Sequence, residues 1–534
     1  MSLQELVASA TPESAKYISQ VFNAKNHTDY QKLKKLFEQR QFEAKSFEDS
    51  ELDILSFDWQ GLERDRNWWW QLQALPFLNW YANSFELQTQ EERSRYFSYC
   101  LDAIHCWIKH AKQNKDSPLA WHDHATAFRV RNLSNWLLFC HSAGCPVSDD
   151  TRTAQFASLI IEHLGWLQED KNYSRHTNHG FDQAIIGLTI GLMFAGNDFE
   201  RYRQTNRERL KDEVTFAFTD EGVHKENSPG YQKMMLGRLK QLKTLAQLGE
   251  QEISQVGECY IEKAEAFLRA VTLPNGSLPL IGDTRGSDTG LLTEAVDERS
   301  GGRIYDYSKS GYVIFKGIDG VGKEFFVLLK NCHFSNYHRH DDDLMLYVFY
   351  DGKVVFGDGG LLNHNEKDPR RVFLRSHFAH STPYINQKVI RNRANLIEPP
   401  SIKFDAHGSV VMRSFMFGEE IQRCVNVSYQ DALAISVKDS RAEFDIDEIF
   451  SNFFLHAHKR VVVGKKSVTV GFDTFRCTVE SDSAESIGLS QGWAGKNHSD
   501  NAIFSPDYGR IEGACRIVFG LKSGTEIIVK MTEA

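Results

Sequence analysis

Up to about residue 272 the apolar positions recur with a helical period. Phe156, Leu159, Ile160, His163 and Leu164 follow the i, i+3, i+4 spacing of an amphipathic helix. Leu236, Leu239, Leu242, Leu245 and Leu248 stripe a second, and Val256, Tyr260, Ile261, Ala264, Phe267, Leu268 and Val271 a third. The stretch from Asp182 to Ala195 is apolar nearly all round, the pattern of a helix buried among others. Helices joined by short polar loops, with no interleaved strands, predict an all-α domain. Pro274, Asn275, Gly276, Pro279, the run Gly282 to Gly286, and Gly301-Gly302 then break the periodicity and read as an inter-domain connection. Short β-type runs follow at 311–315, 325–329 and 344–349, the last joined through Asp351-Gly352 to 354–356 as a hairpin. Further strands are expected at 409–416, 432–437, 459–463, 467–470 and 513–521. An antiparallel β-sandwich or stacked sheets is the economical reading of this half. The expected order is a helical domain over 1–285, a connection over 286–305 and a β-domain over 306–534.

Length and composition narrow this little. The chain has 534 residues, 41% hydrophobic and 25% charged, an ordinary globular profile with room for two large domains. Its 62 Lys and Arg against 71 Asp and Glu leave a net charge of -9, which argues against a general nucleic-acid binder. A local Arg and His cluster can still attract an anion. Nine of the ten Trp lie between Trp59 and Trp166, so the two halves are built differently. The nine Cys are scattered without a CxxC pair and read as free thiols of a reducing compartment. The first residues resemble no signal peptide, which points to the cytoplasm; a periplasmic location follows if a signal segment precedes this sequence. No stretch is long and apolar enough to insert in a membrane.

Four local groups could carry chemistry. Asn178-His179-Gly180, with Asp182, opens the buried apolar helix and could hold a carboxylate at a helix N-terminus; a capping Asn with a packed His is the plainer alternative. Asp220, His224 and Glu226 precede Ser228-Pro229-Gly230-Tyr231, where the Tyr begins the Leu-striped helix and either reaches a cleft or caps a hydrophobic layer. In Tyr337-His338-Arg339-His340-Asp341-Asp342-Asp343, an extended backbone would place His338, His340 and Asp342 on one face. With Asp358 and His380 this group also suits an N/O metal site, against the alternative of a solvated loop. Arg129 and Arg131, near Trp121, His122 and His124, offer a carboxylate fork and flat faces for a sugar, or else ordinary packing. No dinucleotide loop, Walker A loop, GxSxG elbow or HExxH is present.

Taken in order and spacing, these pieces resemble the heparinase II/III-like family of polysaccharide lyases. The resemblance rests on Asn178-His179-Gly180, on Tyr231 some fifty residues later, on His338-x-His340-x-Asp342 and on Asp358-x-Gly360. It continues through Arg375 to Thr382, which is similar to the family's Arg…Ala-His-Asn-Thr stretch with Ser381 in place of Asn. It implies an N-terminal (α/α) toroid followed by antiparallel β-sheets, and β-elimination on a 4-O-linked uronic-acid polysaccharide. By this resemblance Asn178 and His179 neutralise the uronate carboxylate, and Tyr231 is the acid, or acid and base, with His338 as the alternative base. Arg129, Arg131, Trp121, His124, Asp182 and Glu226 are expected at the substrate. His340, Asp358 and His380 match positions that bind a metal in some members: one divalent ion, zinc first, calcium or manganese otherwise, in a structural role. The acidic run after His340 departs from the family's small or apolar residues and would allow a shifted ligand set. The expected partner is an anionic polysaccharide, with no nucleic acid and no organic cofactor; a homo-oligomer stays open. The aromatic first third is expected to line one wall of the sugar cleft and to pack the toroid. Two other classes remain: a toroid glycoside hydrolase using carboxylates such as Asp220 and Glu226, and a non-catalytic polysaccharide binder.

Overall fold

The structure, a computed structural model, describes residues 1–61, 63–147, 151–291, 301–386, 390, 398–442, 448–456, 460–495 and 497–534. Part of the expected connection, 292–300, lies outside the described residues, as does position 459 of one expected strand. The described order is helical from Leu3 to Val271 and antiparallel β from Arg303 onward, the fold class expected. Two compact units divide the chain: Met1–Ala217 with Arg238–Cys259, and Phe218–Gly237 with Tyr260–Ala534.

The first unit is a stack of helices around an aromatic core. Trp59, Trp68, Trp69, Trp80, Trp107 and Trp136 are all buried. Most of the Trp asymmetry is therefore core packing rather than cleft wall, because indoles supply large apolar area where helices of mixed sequence meet. The apolar segment forms the helix Asn178–Met193, packed against Asn197–Ala217. Thr177 caps it, its side chain accepting from the Gly180 amide at 3.1 Å. Gly180 is required there: a Cβ would lie 2.4 Å from the Ser174 carbonyl oxygen.

The second unit holds three larger sheets. Arg303–Tyr307, Tyr312–Ile318, Glu324–Lys330, Met345–Tyr350 and Lys353–Phe356 form a five-stranded antiparallel meander. Asp351 and Gly352 turn its last hairpin with φ of 46° and 80°, the left-handed pair of a type I′ turn. Eight strands between Ser401 and Glu533 make a second sheet, and Ser486–Gln491, Cys515–Lys522, Glu448–Leu455 and Pro383–Tyr384 a third. Val327, Val348, Val437, Phe453, Ile517 and Val529 share one core among these sheets.

Two buried histidines of the first unit make its stability depend on pH. His163 has both nitrogens engaged, Nε2 accepting from Arg129 Nε at 2.8 Å and Nδ1 donating to the Leu159 carbonyl at 2.8 Å. Burial and the Arg129 charge push it well below the usual range, and burial pushes His124 down to about 4. Between these values and the unperturbed value of about 6.5, the unfolded chain binds the protons that the folded chain refuses, so stability rises with pH there. Urea unfolding is expected to show stability falling from pH 6.5 toward pH 4.5, by up to about 1.4 kcal/mol per pH unit for each histidine. A flat profile would contradict the neutral assignment of both.

Candidate active site

In the first unit the start of helix Asn178–Met193 meets the start of helix Asp123–Ser142. Asp123 holds His179 Nδ1 at 3.1 Å and His122 Nδ1 at 2.8 Å, and it also accepts from the Ser174 hydroxyl. Burial would raise the Asp123 carboxyl, but hydrogen bonds from His122 and His179 overcome this and hold it far below the carboxylate range. With Nδ1 directed at Asp123, the His179 ring keeps Nε2 for other partners. The ring also stacks on His124, with centroids 4.1 Å apart and planes at 14°. His124 Nε2 lies 2.7 Å from Asp182, whose carboxylate takes two hydrogen bonds from Arg238 at 2.6 and 2.5 Å. Asp182 therefore reaches His179 only through His124, and Asp123 is the residue that orients His179. Nothing in the spacing of His122-Asp123-His124 singled it out.

The second unit builds its own cluster. Tyr231, third residue of helix Pro229–Leu245, stacks on His338 with centroids 3.6 Å apart and planes at 20°. Asp283 accepts from His338 Nδ1 at 3.0 Å and faces His340 Nε2 at 3.1 Å; Arg371 closes on it at 2.7 and 3.0 Å. Asp283 is 3% exposed. Burial works to raise its carboxyl, yet hydrogen bonds from His338 and His340 and the Arg371 charge hold it well below the usual value. Glu226 stands 3.5 Å from the other nitrogen of His338. Gly282 makes this approach possible: its φ is +58°, and a Cβ would sit 2.9 Å from both the Asn227 and His338 carbonyl oxygens. The run Gly282 to Gly286 read only as turn punctuation in sequence; it delivers the central carboxylate.

His338 itself has φ +53°, so the backbone is not extended at this residue. That left-handed residue turns both imidazoles onto Asp283 and sends Asp342 elsewhere, onto buried Lys330 at 2.7 Å. Asp343 accepts from Ser414 at 2.5 Å. The acidic run is thus committed to internal pairing, and no shifted ligand set is needed. His340, Asp358 and His380 converge: His380 Nδ1 lies 3.0 Å and His340 Nδ1 3.6 Å from the Asp358 carboxylate. All three are fully buried and, among the described residues, His380 Nε2 lacks a hydrogen-bond partner while His340 Nδ1 and His380 Nδ1 face the Asp358 carboxylate. Buried polar atoms left without partners are costly, and two imidazoles with one carboxylate suit a divalent cation, zinc best. The residues fit the ion. Chelation followed by dialysis is expected to lower the thermal midpoint by about a few degrees, with recovery on adding zinc; an unchanged midpoint would argue for a metal-free triad. A second cluster, His122, Asp123 and His179, is already closed by its own hydrogen bonds and by Arg66 on His122 at 2.8 Å.

Three substrate-side expectations need correction. Arg129 is 0% exposed, and its guanidinium is spent on His163 and on the Gln73 and Ala120 carbonyls while lying over the Trp107 ring. It is a core residue with no group left for a substrate. Trp121 donates to the Lys112 carbonyl at 2.7 Å and lines a separate hollow with Trp166. Glu226, 3% exposed, faces His338 rather than open space. Arg131, Asp182 and Arg238 do share a cavity. His124 is buried and acts on His179 and Asp182.

Residues 8–301 match the family model of the heparinase II/III N-terminus. This covers more than half of the chain, which belongs to the heparinase II/III family. The crystal structure of heparinase III superposes with a TM-score of 0.72 at 14% identity, covering 97% of this chain and 88% of its own. Heparan sulfate lyase HepC from Pedobacter heparinus gives a TM-score of 0.62 at 16% identity, covering 96% and 84%. At such identities the likeness is one of fold. No curated protein matches the chain by sequence. No described helix is long and apolar enough to cross a membrane, and all nine cysteines are free thiols.

Proposed function

We propose that the protein is a polysaccharide lyase that cleaves a 4-O-linked uronic-acid chain by β-elimination. The observation that carries this reading is the stacked Tyr231–His338 pair with Asp283 on His338 Nδ1. A phenol and an oriented imidazole are the two groups that proton transfer at C5 and O4 requires. In the reaction the C5–H and C4–O4 bonds break and a C4=C5 double bond forms. The C5 proton goes to the base, and the departing O4 receives a proton from the acid. The C5 proton is poorly acidic while the neighbouring carboxylate carries its charge, so donors on that carboxylate stabilise the enolate-like state.

The family resemblance assigns this neutralising role to Asn178 and His179, with Asp123 fixing the ring of His179. Tyr231 is the acid toward O4, and the base as well where both protons lie on one face of the sugar; His338 is the base for the opposite epimer. With Nδ1 directed at Asp283, Nε2 is the nitrogen of His338 that exchanges a proton. His340, Asp358 and His380 would hold one divalent ion, whose positive charge would offset the buried carboxylates and brace the loop carrying His338. Of the two carboxylates named for the hydrolase alternative, Asp220 is exposed while Glu226 is buried, 3.5 Å from His338. Incubation with a panel of uronate polymers tests the proposal. Elimination conjugates the new double bond with the carboxylate and raises ultraviolet absorbance. Reducing ends released without that absorbance would overturn it.

A further inference from the structure

The first unit contains a cavity of about 560 Å³ that none of the proposed proton-transfer steps uses. Its wall carries Arg131, Asp182 and Arg238, together with Tyr17, Asn135 and Phe128 among others. The ionisable side chains there are few. Asp182 and Arg238 neutralise one another through two hydrogen bonds of 2.6 and 2.5 Å. Among the described residues no carboxylate is in ion-pair contact with Arg131; its guanidinium lies over the Phe128 ring at 4.2 Å and touches the Asn132 side-chain oxygen at 3.2 Å. Burial lowers the Arg131 guanidinium, and the nearby Asp182 charge only partly compensates. A cation held this way gains from an incoming anion.

Amides and aromatics make up much of the rest of the lining, Gln20, Asn79, Asn83, Gln241 and Gln247 with Asn135 and Phe22 with Phe128 and Tyr17, and Val21, Ile185, Ile186, Thr189 and Thr244 complete it. Planar amides suit vicinal hydroxyls, and aromatic faces suit the C–H face of a pyranose. Asn135 supplies an independent sign of a ligand. It is 3% exposed, lines the cavity, and its Oδ1 accepts no hydrogen bond among the described residues. A buried amide oxygen without a donor costs stability unless something else, such as a sugar hydroxyl, satisfies it.

We propose that this cavity is a saccharide subsite for one singly charged uronate residue of the chain, with Arg131 on the carboxylate and Asn135 accepting from a ring hydroxyl. The inference rests on the reading of the protein as an enzyme of uronate chains and adds a selectivity to it. Among the described lining residues Arg131 is the cation without a carboxylate in ion-pair contact, and none is Lys or His, which matches a sugar bearing one negative charge. A sugar carrying several sulfate esters would bring charges that nothing there neutralises.

The test is calorimetric binding to the full chain carrying Tyr231→Phe, so that turnover does not consume the probe. The probes are a mannuronate trimer, an unsulfated glucuronate–N-acetylglucosamine tetrasaccharide, a polysulfated heparin tetrasaccharide and cellotetraose. At least one unsulfated uronate probe is expected to bind more tightly than the sulfated and neutral ones. Arg131→Gln is expected to weaken that probe at least tenfold while leaving the weak binding of cellotetraose unaltered. Asn135→Leu should weaken it as well, yet keep or raise the melting temperature, because the amide oxygen has no hydrogen-bond partner to lose among the described residues. A structural asparagine would behave oppositely. The subsite is overturned if neither unsulfated probe binds, if Arg131→Gln leaves the affinity unchanged, if the sulfated probe binds best, or if Asn135→Leu lowers the melting temperature by several degrees. Failure of the lyase reading shows separately, as absence of new absorbance with the parent enzyme, whatever the calorimetry gives.

Discussion

Tyr231→Phe is expected to lower turnover on a cleaved uronate polymer by at least about a hundredfold, the usual loss for removing a general acid or base. The substitution deletes one oxygen and keeps the ring, so the stacking on His338 at 3.6 Å survives and the fold should be unaffected. KM should change little, since the phenol acts on bonds that break rather than on the ground-state sugar. Unfolding curves that superpose on those of the parent, beside the lost turnover, separate chemistry from structure. Activity within a few-fold of the parent would remove Tyr231 from the mechanism and pass the acid role to another group.

Asp283→Asn is expected to act on both activity and stability. The neutral amide keeps the size of the carboxylate but cannot balance Arg371, which approaches to 2.7 Å in a fully buried setting. Leaving one partner of a buried ion pair uncompensated costs about 3–5 kcal/mol. His338 also loses the acceptor that fixes its Nδ1 proton, so the fraction of rings in the productive tautomer falls. Turnover should therefore drop by about two orders of magnitude or more, together with a lower denaturant midpoint at unchanged slope. A double variant carrying Arg371→Met as well should recover part of the stability without recovering activity, because the orphaned cation is removed while His338 remains unheld. Recovery of both would make Asp283 a structural residue alone.

What the sequence disclosed and what it concealed follow from how each residue earns its place. The helix Asn178–Met193 and the hairpin over Met345–Phe356 were legible because their periodicity and their turn residues act locally. The strand Ile421–Ser428 was not, because its buried face carries Arg423, paired across the sheet with Asp439 at 2.7 Å. A charge neutralised by a partner sixteen positions away is indistinguishable from a surface charge in one sequence. The same reason hid Asp283, which lies in a glycine-rich turn and meets His338, His340 and Arg371 only after folding. Arg129 misled in the opposite direction. Arg beside Trp looks like a sugar clamp, but Gln73, Ala120 and His163 absorb its donors inside the helical core. The roles proposed for Asn178, His179, Tyr231 and His338 rest on the family order rather than on any one of them.

The central claim is that cleavage is an elimination, and mass spectrometry of the products in water enriched with heavy oxygen tests it most directly. In the proposed reaction no water enters. The masses of the two fragments should sum to that of the intact oligosaccharide, the fragment bearing the new non-reducing end should be one water lighter than its hydrolytic counterpart, and neither cleavage end should gain heavy oxygen at the moment of bond breaking. Fragments that together exceed the substrate by one water, with heavy oxygen at the new reducing end beyond slow exchange, would show hydrolysis and contradict the account.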